Sequence, residues 1–330
     1  MSGYLVRRLL YMLLLLWLVS VVAFTIIQLP QGDFVTSLAV RLGEQGETVT
    51  QELLDGLRRR YGLDQPAHVQ YLKWFGNVLR GDFGFSFYTN RPVSDVIGER
   101  LALTVLISVC SLAFSYGVGI PVGIYSATHQ YRFGDYLFMA IGFIGLATPN
   151  FLLALVLMFV ALELEMSVGG LFSPEYLRAG WSLAKFVDLL KHLPLPVVIV
   201  GTAGTAGLIR IMRGQLLDEL ERLYVITARS KGVSEVRLLF KYPVRVAVNP
   251  MISTIGWLLP EIVSGSTITS LVLGLPTVGP LLFVALTSQD MFLASTLVLF
   301  LSALTVLGTF ISDILLSAMD PRIRMSRQNA

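Results

Sequence analysis

Glu261 is a carboxylate inside an apolar run, and Ser253, Trp257 and Ser264 share its helical face at spacings of four, four and three residues. The stripe they form is flanked by aliphatic faces. An ionisable group at membrane depth costs roughly 2.5–3.5 kcal/mol on insertion scales, so it normally faces a bundle interior or a watery cavity. Two readings follow. Glu261 is a structural partner, hydrogen-bonded to another helix or held protonated, or it meets a cationic or hydroxyl-rich ligand on which Trp257 stacks. Other chemistry is missing from the sequence. There is no GxxxxGK[ST] phosphate loop, no HExxH, and no glycine-flanked serine with a histidine partner at matched depth, so neither catalysis by this chain nor intramembrane hydrolysis finds its residues. His68, His129 and His192 fall in three different polar segments, and Cys110 is the single cysteine. That pattern excludes a disulfide within the chain and argues against any metal site.

A second stretch, 218–250, is polar between two membrane-length apolar segments. Leu216, Leu217, Leu220, Leu223, Tyr224 and Thr227 recur at helical spacing, with Asp218, Glu219 and Glu221 early and Arg229 and Lys231 late. That charge order suits the helix dipole, and the spacing predicts one amphipathic helix. Gly232 stands where a left-handed C-terminal cap belongs, and Ser234 is placed to cap a second short helix through Leu238, Leu239 and Tyr242.

These two stretches need a membrane scaffold to hold them. With 54% hydrophobic residues, 14% charged residues and a mean hydropathy of +0.70 over 330 residues, the chain is too apolar for a soluble domain. The net charge of +3 gives no clustered basic face for nucleic acid. Apolar runs near 9–29, 101–127, 136–162, 194–212, 248–273 and 292–316 predict an all-α integral membrane protein with six transmembrane helices. Arg7 and Arg8, the eight Lys and Arg residues between 210 and 245, and Arg322, Arg324 and Arg327 then fall on one side. The positive-inside rule makes that side the cytoplasm, with both termini inside, Ser234 cytoplasmic and Gln45 extracytoplasmic. Arg58, Arg59 and Arg60 lie in a long polar segment where the rule is weak. The first span is too long for a signal peptide, lacks a small-residue cleavage pattern, and reads as a retained anchor.

The expected division is 1–29 for the start and first helix, 30–100 for an extracytoplasmic helical insert, 101–320 for a five-helix core, and 321–330 for a cytoplasmic tail. In the insert, Thr50 is placed to cap a helix with Leu53, Leu54, Leu57 and Tyr61 on one face and Gly62 beyond its end. Pro66 opens another, carrying Val69, Leu72 and Trp74 or Phe75. Residues 81–93 read as a packed interfacial loop, with direct contact to a partner as the alternative. Gly117, Gly119 and Gly123 suit close helix packing, and Thr148-Pro149-Asn150 interrupts the third apolar run, freeing carbonyls for packing or a cavity. Residues 281–286 are too short to span and predict a re-entrant or interfacial helix.

The residues Thr227-Ala228-Arg229-Ser230-Lys231-Gly232, with Asn249-Pro250 after them, resemble the cytoplasmic "EAA" loop of permease subunits in binding-protein-dependent ABC importers. The similarity is greatest to the B-type subunit of the dipeptide, oligopeptide and nickel family. It extends through Tyr4-Leu5-Val6-Arg7-Arg8-Leu9, Tyr61-Gly62-Leu63-Asp64 with Gln70-Tyr71 and Trp74, and Gly81-Asp82-Phe83-Gly84 with Arg91-Pro92-Val93. Further on it includes Gly119-Ile120-Pro121 with Gly123, Val168-Gly169-Gly170, Pro276 with Gly279, and Asp320-Pro321-Arg322.

The resemblance implies half of a peptide translocation pathway in a bacterial or archaeal inner membrane. The implied partners are a C-type permease subunit, two cytoplasmic ATPase subunits or domains that bind the ATP and Mg, an extracytoplasmic solute-binding protein, and membrane lipid. It implies no cofactor in this chain. By the resemblance Thr227, Ala228, Arg229, Ser230, Lys231, Gly232, Ser234 and Glu235, within an EAA loop at about 214–250, form the ATPase-coupling element; on the stripe reading Ser253, Trp257, Glu261 and Ser264 line the path. Thr277 replaces a glycine of the family's proline-glycine turn, and Ser270 stands where many members carry a glutamate. Oligosaccharide, glutathione or nickel import by the same machinery, and an ATP-independent secondary transporter or channel, are the alternatives. A passive interfacial helix on anionic lipid is the alternative for the loop.

Overall fold

The computed structural model of the chain describes residues 2–30, 32–44, 50–164, 168–177 and 179–319. Gln45 and Asp320-Pro321-Arg322 lie outside them. The helices are α1 (Ser2–Ile27), α2 (Phe34–Glu44), α3 (Gln51–Tyr61), α4 (Ala67–Val78), α5 (Val93–Thr128), α6 (Phe133–Ala147), α7 (Asn150–Glu163) and α8 (Leu183–His192). They continue with α9 (Pro194–Leu220), α10 (Leu223–Ser230), α11 (Glu235–Lys241), α12 (Pro243–Ala247), α13 (Asn249–Val272), α14 (Val278–Thr287) and α15 (Met291–Met319). Among the described residues the departures from α-helix are a 3-10 turn at Pro174–Tyr176 and an antiparallel pair, β1 (Phe85–Ser86) with β2 (Arg91–Pro92), in the segment expected to be a loop.

Arg7–Ile27, α5, α9 and Met291–Leu315 are long and apolar enough to cross a membrane, and α6 with α7 makes a fifth if the pair is one broken span. The chain is thus a multi-pass helical membrane protein. α13 has 24 residues. At about 1.5 Å per residue that length exceeds the roughly 30 Å of bilayer hydrocarbon. The interruption at Thr148-Pro149 is a corner of 110° between α6 and α7. Its cause is local: the proline disfavours helical geometry at Thr148, and both residues are extended, with ψ of 122° and 136°.

The chain divides into two compact units, Met1–Thr104 with Pro276–Leu304, and Val105–Leu275 with Thr305–Ala330. In the first, Phe34, Val35, Leu54 and Phe87 form one buried cluster, and Phe24, Trp74 and Met291 another. Gly62 is left-handed and caps α3 as expected, but Thr50 makes no side-chain cap and Leu53 is exposed. On α4 the inward residue is Trp74, with Leu72 exposed, because the face that packs is Tyr71, Trp74, Phe75 and Val78. Asp290 is fully buried; its carboxylate accepts from Ser86 Oγ at 2.7 Å and from the amides of Tyr88 at 3.0 Å and Leu293 at 3.2 Å. It ties the hairpin to the start of α15. The short apolar helix expected near 281–286 is α14.

In the second unit α5, α9 and α13 meet around Leu208, Met212, Leu216, Met251 and Leu258. Gly119 and Gly123 let α5 approach α9 closely: a Cβ on Gly119 would lie 2.9 Å from Leu208 Cβ, and one on Gly123 2.6 Å from Met212 Cβ. Gly117 has no such neighbour. Asp135 of α6, 2% exposed, receives Arg213 Nε and Nη2 of α9 at 2.9 Å each. Beyond α7, Lys185 Nζ sits 4.9 Å from the Phe172 ring centroid and 5.3 Å from that of Trp181, and donates to Ala179 O at 2.7 Å. Gly170 N donates to Leu273 O at 2.7 Å, which joins this segment to the end of α13.

Candidate functional site

The polar stretch folds as a helix-turn-helix, but its first half differs from the single amphipathic helix expected. Leu216, Leu217 and Leu220 belong to the end of α9, where they join the membrane core with Val244, Ala247 and Met251. The chain then breaks at Glu221 and Arg222. α10 restarts at Leu223 with Arg222 extended at ψ 142°, because one straight helix cannot both stay in the core and return to it.

Gly232 has φ +77°. Its amide donates to Arg229 O at 3.0 Å and the next amide, of Val233, reaches Ala228 O at 3.4 Å. These two bonds make a Schellman turn, which needs a left-handed residue at the glycine position. Val233 also packs with Tyr242 on a small core of Val225, Ala228 and Leu238. Ser234 is at the N-cap of α11, yet its side chain makes no capping bond. The turn is closed instead by Arg229, whose Nε lies 2.8 Å from Glu235 Oε1 and Nη2 3.2 Å from Oε2. The Arg229 guanidinium holds the Glu235 carboxyl below its usual value.

Of the expected coupling residues, Ala228 is buried and supports the turn. Thr227, Arg229, Ser230, Lys231, Gly232, Ser234 and Glu235 are exposed on its surface. Thr227 and Ser230 bond their own helix, to Leu223 O at 2.8 Å and Ile226 O at 3.0 Å. Partial burial and the hydrogen bond that Tyr224 gives to Glu219 push the Tyr224 hydroxyl up to about 12. Sequence reasoning missed the apolar part of this surface. Leu223 is 81% exposed, Val236 71%, Phe240 59% and Ile226 47%. These residues, rimmed by Arg229, Lys231 and Glu235 on a turn outside the apolar spans, form an exposed apolar patch of the kind that meets a protein or a membrane surface.

On α13, Ser253 and Glu261 are exposed, and Ile268 continues their face. Trp257 and Ser264 lie on the same helix, but their side chains are outside those described. The opposite face, Met251, Leu258 and Ile262, is core. Tyr116 of α5 anchors it, its hydroxyl donating to Met251 O at 2.6 Å with Thr254 Oγ1 2.7 Å away. Ser253 and Glu261 therefore face away from the core that α13 shares with α5 and α9. A carboxylate there is costly against lipid and favoured against a protein partner or water.

Known proteins resemble the chain over nearly its whole length. The family described as "Binding-protein-dependent transport system inner membrane component" matches residues 119–325, and the N-terminal membrane component of such systems matches residues 1–108. The chain is 34% identical to the oligopeptide transport system permease protein AppB of Bacillus subtilis, over 98% of this chain and 99% of that one. It is 30% identical to the oligopeptide permease OppB of Mycobacterium bovis, over 99% and 100%, and 30% identical to the glutathione permease GsiC of Escherichia coli, over 98% and 99%. With matches that run nearly end to end, the chain belongs to the family of inner-membrane permease components of binding-protein-dependent ABC importers.

Proposed function

We propose that this chain is the B-type permease subunit of a peptide importer, pairing with a C-type permease to form the translocation path. On this reading six spans cross the inner membrane, 30–100 forms an extracytoplasmic cap, both termini are cytoplasmic, and the loop at 214–250 docks an ATPase subunit or domain. ATP and Mg belong to those partners, and an extracytoplasmic binding protein delivers the substrate. The observation that carries the reading is the exposed helix-turn-helix of α10 and α11, seated on the membrane core through Leu216, Leu220, Val244 and Ala247. A rigid, apolar-faced turn so anchored can pass motion of a docked ATPase to α9 and α13. Ser253, Trp257, Glu261 and Ser264 are assigned to the path, with Glu261 meeting cationic groups such as a peptide amino terminus. A peptide substrate is favoured by the oligopeptide permeases among its relatives, and glutathione, itself a peptide, is the second choice.

The test is uptake of labelled oligopeptides by vesicles containing both permeases, the ATPases and the binding protein. ATP-dependent uptake that Glu261→Ala lowers or redirects, without loss of ATPase co-purification, supports the reading. Uptake by this chain alone without ATP would sink it. Unchanged rate and selectivity in an assembled Glu261→Ala complex would remove the path assignment of the stripe.

A further inference from the structure

Pro260 directly precedes Glu261 inside α13. A proline has no N–H, so the carbonyl of Gly256, four residues earlier, loses the donor a regular helix would provide. That carbonyl faces α15. Thr309 Oγ1 lies 3.3 Å from Gly256 O and 3.0 Å from Thr305 O, so its single hydrogen is shared between the two. One turn along, Ser312 Oγ donates to Ile252 O at 2.9 Å. The two helices are in contact here: a Cβ on Gly256 would lie 3.4 Å from Thr309 Cα and 3.5 Å from Ser312 Cβ, ordinary packing distances.

A proline break leaves a helix free to bend unless neighbouring groups satisfy the released carbonyl. Thr309 supplies a donor to the released carbonyl of Gly256, and Ser312 adds a second tie to α15 at Ile252 O, on the turns just before Pro260. We propose that Thr309 and Ser312 are positioning residues for the path. They hold α13 next to Pro260 and so set the direction in which Glu261 and the segment beyond it are presented. The proposal rests on the path reading of Glu261 given above. Neither hydroxyl touches substrate on this account.

The assembled importer carrying Glu261→Cys in a Cys110→Ser background reports the direction of position 261 through its rate of labelling by a maleimide. Thr309→Val keeps the side-chain shape and removes the donor, whereas Thr309→Ser keeps the donor. The expected result is a change of about fivefold in labelling rate with Thr309→Val, the ratio that a hydrogen bond of ordinary net strength sets, and little change with Thr309→Ser. With Glu261 intact, Thr309→Val should shift uptake between cationic and neutral peptides while ATPase co-purification is retained. Labelling unaffected by Thr309→Val would overturn the proposal. So would loss of assembly in Thr309→Val, which makes the hydroxyl a folding requirement. Altered labelling together with an unchanged Glu261→Ala transport profile would keep the positioning and sink only the path reading.

Discussion

Arg229 reaches over the Gly232 turn and pairs with Glu235 through two contacts, of 2.8 and 3.2 Å. Both side chains stand in solvent, where an ion pair adds little to stability. The turn is held by its backbone, because Gly232 at φ +77° occupies a conformation that costs an L-residue about 1–2 kcal/mol. Gly232→Val should therefore reduce ATPase co-purification and ATP-driven uptake, and Glu235→Gln should leave the fold of the turn unchanged. Normal uptake by the Gly232→Val complex would end the coupling assignment.

The Asp135 and Arg213 pair has the opposite balance. Asp135 is buried and also accepts from Tyr131 N at 3.1 Å, so removing the guanidinium leaves an uncompensated charge. Arg213→Ala should cost about 3–5 kcal/mol. Arg213→Lys should recover only part of it, since the two-nitrogen fork is lost. Thermal unfolding of the purified subunit in detergent measures both, and an unshifted midpoint for Arg213→Ala would contradict the pairing.

Gly123→Ala tests the contact of α5 with α9. A methyl group there would sit 2.6 Å from Met212 Cβ and 3.1 Å from Ile209 O, with Met212 fully buried. Overpacking of this kind costs about 1–3 kcal/mol. Gly117→Ala, on the same helix with nothing within 4 Å, is the control and should be neutral or slightly stabilising. Equal melting temperatures for the two variants would refute the packing.

A pH dependence is expected in the segment 30–100. Asp33 is raised by burial, but its bonds with Arg58 and Thr36 outweigh this and hold its carboxyl below 3.8. Arg58 also meets Asp55 at 3.5 Å. A depressed carboxylate stabilises fully above its unfolded value, and loses that contribution as pH falls through the folded one. Protease resistance of α2 and α3 should thus decline below about pH 4 in the natural chain. Asp33→Asn should lower resistance at neutral pH and flatten this decline. An identical acid profile in both would exclude the pair as its cause.

The class of this protein was legible without a structure, because membrane spans are written as local runs of apolar residues and a left-handed turn as a single glycine. The apolar runs at 194–212 and 292–316 fall within α9 and α15, that at 9–29 overruns the end of α1 by two residues, and Gly232 adopts the turn its position after Arg229 and Lys231 implied. Locally coded features need no distant partner. What needs one was decided by tertiary structure. The break at Glu221 and Arg222 follows from where the core holds Leu216 and Leu220. Thr50 and Ser234 have the extended backbone of an N-cap, yet neither hydroxyl bonds the first helical amides, so the cap preference written in the sequence went unused. Arg213 finds Asp135 across 78 residues of sequence, and Thr309 finds the Gly256 carbonyl across 53. A sequence shows that Asp135 is acidic and that Pro260 lacks an N–H. Only the packing of one helix against another decides which donor answers each of them.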